Sequence, residues 1–216
     1  MLSKLDQIGE DALAYFEKKN AAREMALERS RTLIRQCSLA IRAIHRDERA
    51  LATEHLGNAN AIVKTLKTEL ATYPDLFHAG YTRDALKEYA EATITQALIS
   101  GDPLPTPGDL GLDYAPYLGG LGEAAGELRR HVLDMLRDGY SKDAERLLEA
   151  MDDIYSLLVT VDYPDAITGS LRRITDMVRG VTKRTRGDLT TSAQFHDLKQ
   201  ALREHGADLS SLSEDD

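Results

Sequence analysis

Between Gly9 and Gly57 the chain has neither glycine nor proline, and Leu27, Ile34, Cys37, Ile41, Ile44 and Leu51 recur there at helical spacing. A run that long without a breaker predicts one long helix, or two nearly collinear ones. A second helical segment is expected from about Gly57 to Thr72, stopped by Tyr73-Pro74-Asp75. A third opens with Thr82 as its N-cap and ends at Gly101. The stretch GDPLPTPGDLG then holds three Pro and three Gly in eleven residues, and no helix crosses it. A fourth helix is expected from about Pro116 to Asp138-Gly139. A fifth opens at Ser141 and ends before Tyr163-Pro164-Asp165, a sixth spans roughly Ala166 to Arg184, and a last one runs from Ser192 to His205. Strict apolar–polar alternation is nowhere long enough to propose a strand. The expected fold class is all-α: one helical domain over residues 1–206, then an acidic tail, 207–216, expected to be disordered.

The composition suits this. Three Phe and no Trp within a hydrophobic content of 42% imply a core of Leu, Ile, Val and Ala, which suits packed helices. The single Cys37 excludes an intrachain disulfide, and the six histidines show no zinc-ligand spacing with it. There is no basic-then-apolar leader and no apolar run near 18 residues. The expectation is a soluble, cytoplasmic protein with no membrane partner.

Two carboxylate pairs carry the chemistry: Glu88 and Glu91 in KEYAEATITQALI, Glu123 and Glu127 in LGGLGEAAGELRR. Residues three or four apart share a helix face, so each pair presents two acids side by side. Surface helices usually mix acids with lysines and arginines, whereas these four sit among Ala, Gly, Leu and Ile. Like charges that close need an exposed position, a bound proton, a basic partner or a divalent cation. Asp84 extends the first face by a turn. Gly119, Gly120, Gly122 and Gly126 surround Glu123, each costing a helix interior about 1 kcal/mol relative to alanine. That cost suits a place where another backbone, or a ligand, approaches closely.

The net charge of −9 argues against nucleic acid as a partner, but its distribution does not. At 100° per residue, Arg31, Arg35, Arg42, Arg46 and Arg49 fall within about 60° of one another on the first helix, away from its apolar side. Residues 29–49 carry six Arg against Asp47 and Glu48. Arginine's planar fork suits phosphate oxygens, although a solvated face balanced by Glu24 and Glu28 has the same pattern. A second cluster, Arg172, Arg173, Arg179, Lys183, Arg184 and Arg186, is less ordered by face. Tyr81, Tyr89 and Tyr114 flank the acidic segments and are candidates for base stacking.

The segment TRDALKEYAEATITQ resembles the catalytic helix of translin-associated factor X, a branch of the translin family with an LQEYVEA-type motif there. DYAPYLGGLGEAAGELRR is similar to that branch's DYLLGVADLTGELMR-type segment. CSLAIRAIHR and LRRITDMVRGVTKRTRGDL resemble its first and last long helices, so the match covers roughly residues 20–190 in order. Translin, the non-catalytic paralogue, lacks the first acid pair that Glu88 and Glu91 keep here. One departure is Glu123, where the catalytic branch has Asp.

The resemblance implies a seven-helix subunit of translin-like fold assembling into a hollow ring-like homo-oligomer of eight chains. It further implies RNA held inside and cut in a divalent-metal-dependent reaction. Hard oxygen ligands suit Mg²⁺ or Mn²⁺, so Glu88, Glu91, Glu123 and Glu127 are the expected catalytic and metal-binding residues. Arg31, Arg35, Arg42, Arg46 and Arg49 are the expected nucleic-acid contacts. The competing expectation is a non-catalytic translin-like protein that coats single-stranded RNA or DNA. A di-iron bundle is disfavoured because the chain contains no Glu-x-x-His, and a coiled coil because the Pro/Gly stretch breaks any heptad.

Overall fold

The computed structural model describes residues 2–212, with side-chain environments from residue 3 to residue 204. Among the described residues there are nine helices and no strand: α1 (Leu2–His45), α2 (Arg49–Glu69), α3 (Pro74–Phe77), α4 (Gly80–Ser100), α5 (Pro107–Leu110), α6 (Tyr114–Leu136), α7 (Lys142–Thr160), α8 (Asp165–Thr168) and α9 (Leu171–Leu212). The all-α expectation holds. Three of the nine are single turns: α3 and α5 fall at the stretches read as breaks, whereas α8 takes the start of the expected sixth helix, which Gly169 and Ser170 interrupt with left-handed backbone (φ 65° and 69°). Proline sits in the first turn of α3 and α5, where its missing N–H has no intrahelical partner to lose.

The chain divides into two compact units. One runs through Leu121 and takes in Ala166–Gly169; the other comprises Gly122–Asp165 and the chain from Ser170 onward. In the first unit α1 packs on α2 and α4, and α2 on α4. The buried line of α1 is Ala26, Leu33, Cys37, Ala40, Ala43 and Ile44. α2 buries Ala52, Ala59, Val63 and Leu66, and α4 buries Ala85, Leu86, Tyr89, Ala90, Ala92 and Ile94. A double hydrogen bond from Arg29 to Glu69, at 2.6 and 2.8 Å, ties α1 to the end of α2. In the second unit α7 packs on α9 and buries Leu147, Met151, Ile154 and Leu158.

Other boundaries also differ from the sequence reading. The long first helix ends at His45, because Asp47 turns left-handed (φ 55°), a conformation its short polar side chain tolerates. Across that turn Ala43, Ile44 and Ala52 pack together with Ile99. Gly57 lies inside α2, where burial of Ala52, Ala59 and Val63 outweighs its propensity cost. Thr82 is not a cap: α4 begins two residues earlier, and the buried Thr82 hydroxyl donates to the Leu76 carbonyl at 2.9 Å. The sixth and last helices are one, α9, continued through Gly187 by the buried line Val178, Val181, Thr185 and Leu189. It extends as helix to Leu212, into the stretch read as a tail; residues 213–216 of that tail lie outside the described residues. Ser141 does cap α7, accepting from the Asp143 amide at 3.2 Å.

Candidate metal centre

Glu88 and Glu91 stand on α4, Glu123 and Glu127 on α6. What brings the helices together is Gly120. A Cβ there would lie 2.6 Å from the Ala90 Cβ, 2.6 Å from the Lys87 carbonyl oxygen and 2.7 Å from the Glu91 amide nitrogen. Backbone therefore rests on backbone at the turn of α4 that carries both acids, and Glu123 lies one turn further along α6. The boundary between the two units falls just after Leu121, inside this continuous helix. Glu88, Glu91 and Glu123 each offer a carboxylate oxygen, all within 4.8 Å of one another, and all three side chains are at least half-buried. Glu127 is outside this cluster; it is half-buried one turn on, 3.7 Å from the Arg130 guanidinium. Asp84 is exposed.

Two neighbours define the chemistry. Cys37 of α1 is fully buried, and its thiol is pushed well up, first by burial and then by the negative charges of Glu88 and Glu91. It stays protonated, so the donors on offer are hard oxygens. The second is Thr95, which sequence reasoning missed. It lies four residues after Glu91 and seven after Glu88, on their face of α4, and helical side chains lean back toward the preceding turn. It is 0% exposed, yet its hydroxyl has no hydrogen-bond partner within the chain. Thr93, two residues earlier, bonds back to the Tyr89 carbonyl, as Thr65, Thr68, Thr175 and Thr185 do to theirs. A buried hydroxyl one turn along α4 from two of the carboxylates fits a hydrated hard cation, whose waters need such partners. Only its spacing from the two acids could have marked it in the sequence.

The five arginines are placed unequally. Arg31, Arg35 and Arg42 are exposed on one face of α1, and Arg46 sits in the turn after it. Arg49 opens α2 across the left-handed turn, with its guanidinium 3.0 Å from Asp47. In the second basic cluster Arg172 pairs with Asp162 at 2.7 Å and Arg186 with Asp152, while Arg179, Lys183 and Arg184 are exposed. Of the tyrosines, Tyr89 is core, Tyr81 is half-buried with an unpartnered hydroxyl, and Tyr114 is 74% exposed. Among the described residues no helix is long and apolar enough to cross a membrane.

An all-helical protein with an oxygen-ligand cluster between two close-packed helices is the class this defines. No family model matches the chain. It is 33% identical over 191 residues to an uncharacterized protein of Methanocaldococcus jannaschii, covering 88% of this chain and 84% of that protein. The crystal structure of AfC3PO matches with a TM-score of 0.80 and 32% identity, over 85% of this chain and 96% of that one. The same protein in complex with duplex RNA matches with a TM-score of 0.79 and 32% identity, over 85% and 95%. Apo-NeC3PO shares the fold, with a TM-score of 0.75 and 24% identity over 89% and 98%. The chain belongs to the translin family, with the C3PO fold.

Proposed function

We propose that this protein is an RNA-binding, divalent-metal-dependent endoribonuclease of the catalytic, translin-associated factor X-like branch, acting on single-stranded or flexible RNA in the cytoplasm. The observation that carries this reading is the convergence of Glu88, Glu91 and Glu123, with the orphaned Thr95 hydroxyl one turn further along α4. These carboxylates would hold Mg²⁺ or Mn²⁺, with Glu127 as a fourth acid on the next turn of α6. A bound ion there supplies a water of lowered pKa and charge stabilisation for the leaving oxygen. Gly120 fixes the spacing of the acids, and burial of Ala90, Ala92 and Ala124 around them limits competing water. The exposed Arg31, Arg35 and Arg42 hold phosphates at a distance from the cut.

The duplex-RNA complex of a protein 32% identical to this chain supports RNA as the partner. We also propose a homo-oligomer, of eight chains by the family resemblance. In support, Leu5, Ile8, Tyr15 and Phe16 are 53–64% exposed along one side of α1, a stripe that calls for cover.

The test is cleavage of labelled RNA with and without EDTA, by wild type and Glu91→Gln. Glutamine keeps the volume but removes the charge that holds a cation, so the variant should lose cleavage and keep RNA affinity. A Glu91→Gln protein that cuts at the wild-type rate in Mg²⁺ or Mn²⁺ would overturn the carboxylate mechanism. Wild type that binds RNA and never cuts it leaves the coating protein, with the longer Glu123 in place of Asp as its physical reason.

A further inference from the structure

The second unit contains a feature outside the carboxylate centre. Between the last turn of α6 with the turn that follows it and the face of α9 from Asp188 to Arg203 lies an open cleft of about 670 Å³. That volume suits a ligand of nucleotide size. At 100° per residue Asp188, Ser192, Phe195, Lys199 and Arg203 share one face of α9, so the cleft is a continuous helical surface.

Its lining mixes cations and acids. Arg137, Lys199 and Arg203 line it, against Asp138 and Asp188. Asp188 is already engaged by the Arg129 guanidinium at 2.8 Å, so its charge is balanced from behind. The cations that line the cleft outnumber its lining acids three to two, while Glu145 and Asp197 stand by the Tyr140 hydroxyl at its rim. Beside the cations stand two aromatic rings. Phe195 is 67% exposed, and Tyr140 stands against the His196 ring at 5.7 Å with a 40° tilt. Cations that follow a phosphate backbone, next to rings that offer a face to a base, are the combination by which proteins hold unpaired nucleotides.

We propose that this cleft is a second nucleic-acid subsite, separate from the α1 arginines, that takes one or two unpaired nucleotides of RNA. The base stacks on Phe195 with Tyr140 and His196 at its edge, while Arg137, Lys199 and Arg203 take the flanking phosphates. A base locked in a blunt duplex is already stacked and cannot enter. The inference rests on the RNA-binding reading above and gives its preference for unpaired segments a place on the molecule.

Fluorescence anisotropy with a labelled oligoadenylate and with a blunt RNA duplex of equal length, on the full chain in EDTA, tests it. Phe195→Ala and Lys199→Glu should each weaken the single strand about tenfold and leave the duplex within twofold, and Phe195→Tyr, which keeps the ring, should restore wild-type affinity. Lys199→Glu should also lower the single-strand salt slope by roughly 0.7. Wild type that binds neither RNA sinks the RNA-binding reading itself. Wild type that binds, with both cleft variants unchanged or equally weak on both RNAs, sinks only the subsite. Light scattering on the same samples guards the assignment: a fall in assembly mass in both variants marks the cleft as an interface between copies and overturns the proposal.

Discussion

Replacing Gly120 and Gly126 by alanine, one at a time, makes the same change twice in one helix and should move stability in opposite directions. At Gly120 the new Cβ meets the Ala90 Cβ and the Lys87 carbonyl oxygen at 2.6 Å and the Glu91 amide at 2.7 Å. Carbon contacts settle at about 3.5–4.0 Å, so α4 and α6 must part by about 1 Å. Overpacking of this kind costs about 1–3 kcal/mol, against about 1 kcal/mol gained from alanine's better helix propensity. For a chain of this length a net loss of about 1 kcal/mol corresponds to a fall in Tm of about 2–4 °C. At Gly126 nothing lies within 4 Å of the added Cβ. There the propensity gain stands alone and should raise Tm by about 2–4 °C. Thermal unfolding followed by circular dichroism reads both. Parting the helices also moves Glu123 away from Glu88 and Glu91, so Mn²⁺ affinity should fall at least tenfold in Gly120→Ala and hold in Gly126→Ala. A Gly120→Ala protein that melts at or above wild type, or two variants that shift the same way, would refute the close-approach argument.

Two further outcomes are expected. Reversing Arg35 and Arg42 to Glu should weaken RNA binding and reduce its single-strand log–log salt slope by roughly 0.7 per lost phosphate contact; an unchanged slope in the folded double variant assigns these arginines to solvation alone. The Arg29 guanidinium, by its hydrogen bonds and then its charge, holds the Glu69 carboxyl below its ordinary value of 4.5. A depressed folded-state pKa stabilises the fold above the unfolded value and loses that contribution as pH falls through the folded one. The gap in urea midpoint between wild type and Glu69→Gln should therefore be full near neutral pH and close below about pH 4.5; a gap constant with pH would show that packing, not charge, is what the pair contributes.

The fold class was legible because each core line repeats at helical period and nothing alternates. The boundaries were not, because propensity is a weak local signal where packing is strong. Gly57 read as a boundary and the stretch from Arg184 to Ser192 as a gap between helices, yet Gly57 and Gly187 each lie within a helix held by neighbours such as Val63 or Leu189, whereas Asp47, in an unremarkable charged stretch, makes the left-handed turn. The carboxylate pairs stood out by their spacing, which did not tell that Glu123 joins Glu88 and Glu91 while Glu127 stays a turn away, and the glycines around Glu123 pointed to a close approach. Only coordinates show that Gly120 makes that approach and Gly126 does not. Thr95 carried no signal beyond its spacing, because a threonine in a helix is ordinary until its burial and its lack of a backbone partner are both known.

The connector between α4 and α6 has a consequence for how the centre assembles. Gly101 and Gly111 close its ends in left-handed conformations, Pro103, Pro105 and Pro107 fix three φ angles within it, and Thr106 and Asp109 cap α5 reciprocally. The Tyr117 hydroxyl then reaches back to the Pro105 carbonyl at 2.7 Å, and Lys67 holds the Gly111 carbonyl at 2.9 Å. Prolines and a local cap of this kind narrow the unfolded ensemble as much as they decorate the native one. The chain thus has little loop entropy left to lose when the two acid-bearing helices meet, and their mutual repulsion is opposed by a tether that is short, stiff and sequence-local. Such a tether favours early pairing of α4 with α6 on the folding pathway, before the rest of the chain has closed around them.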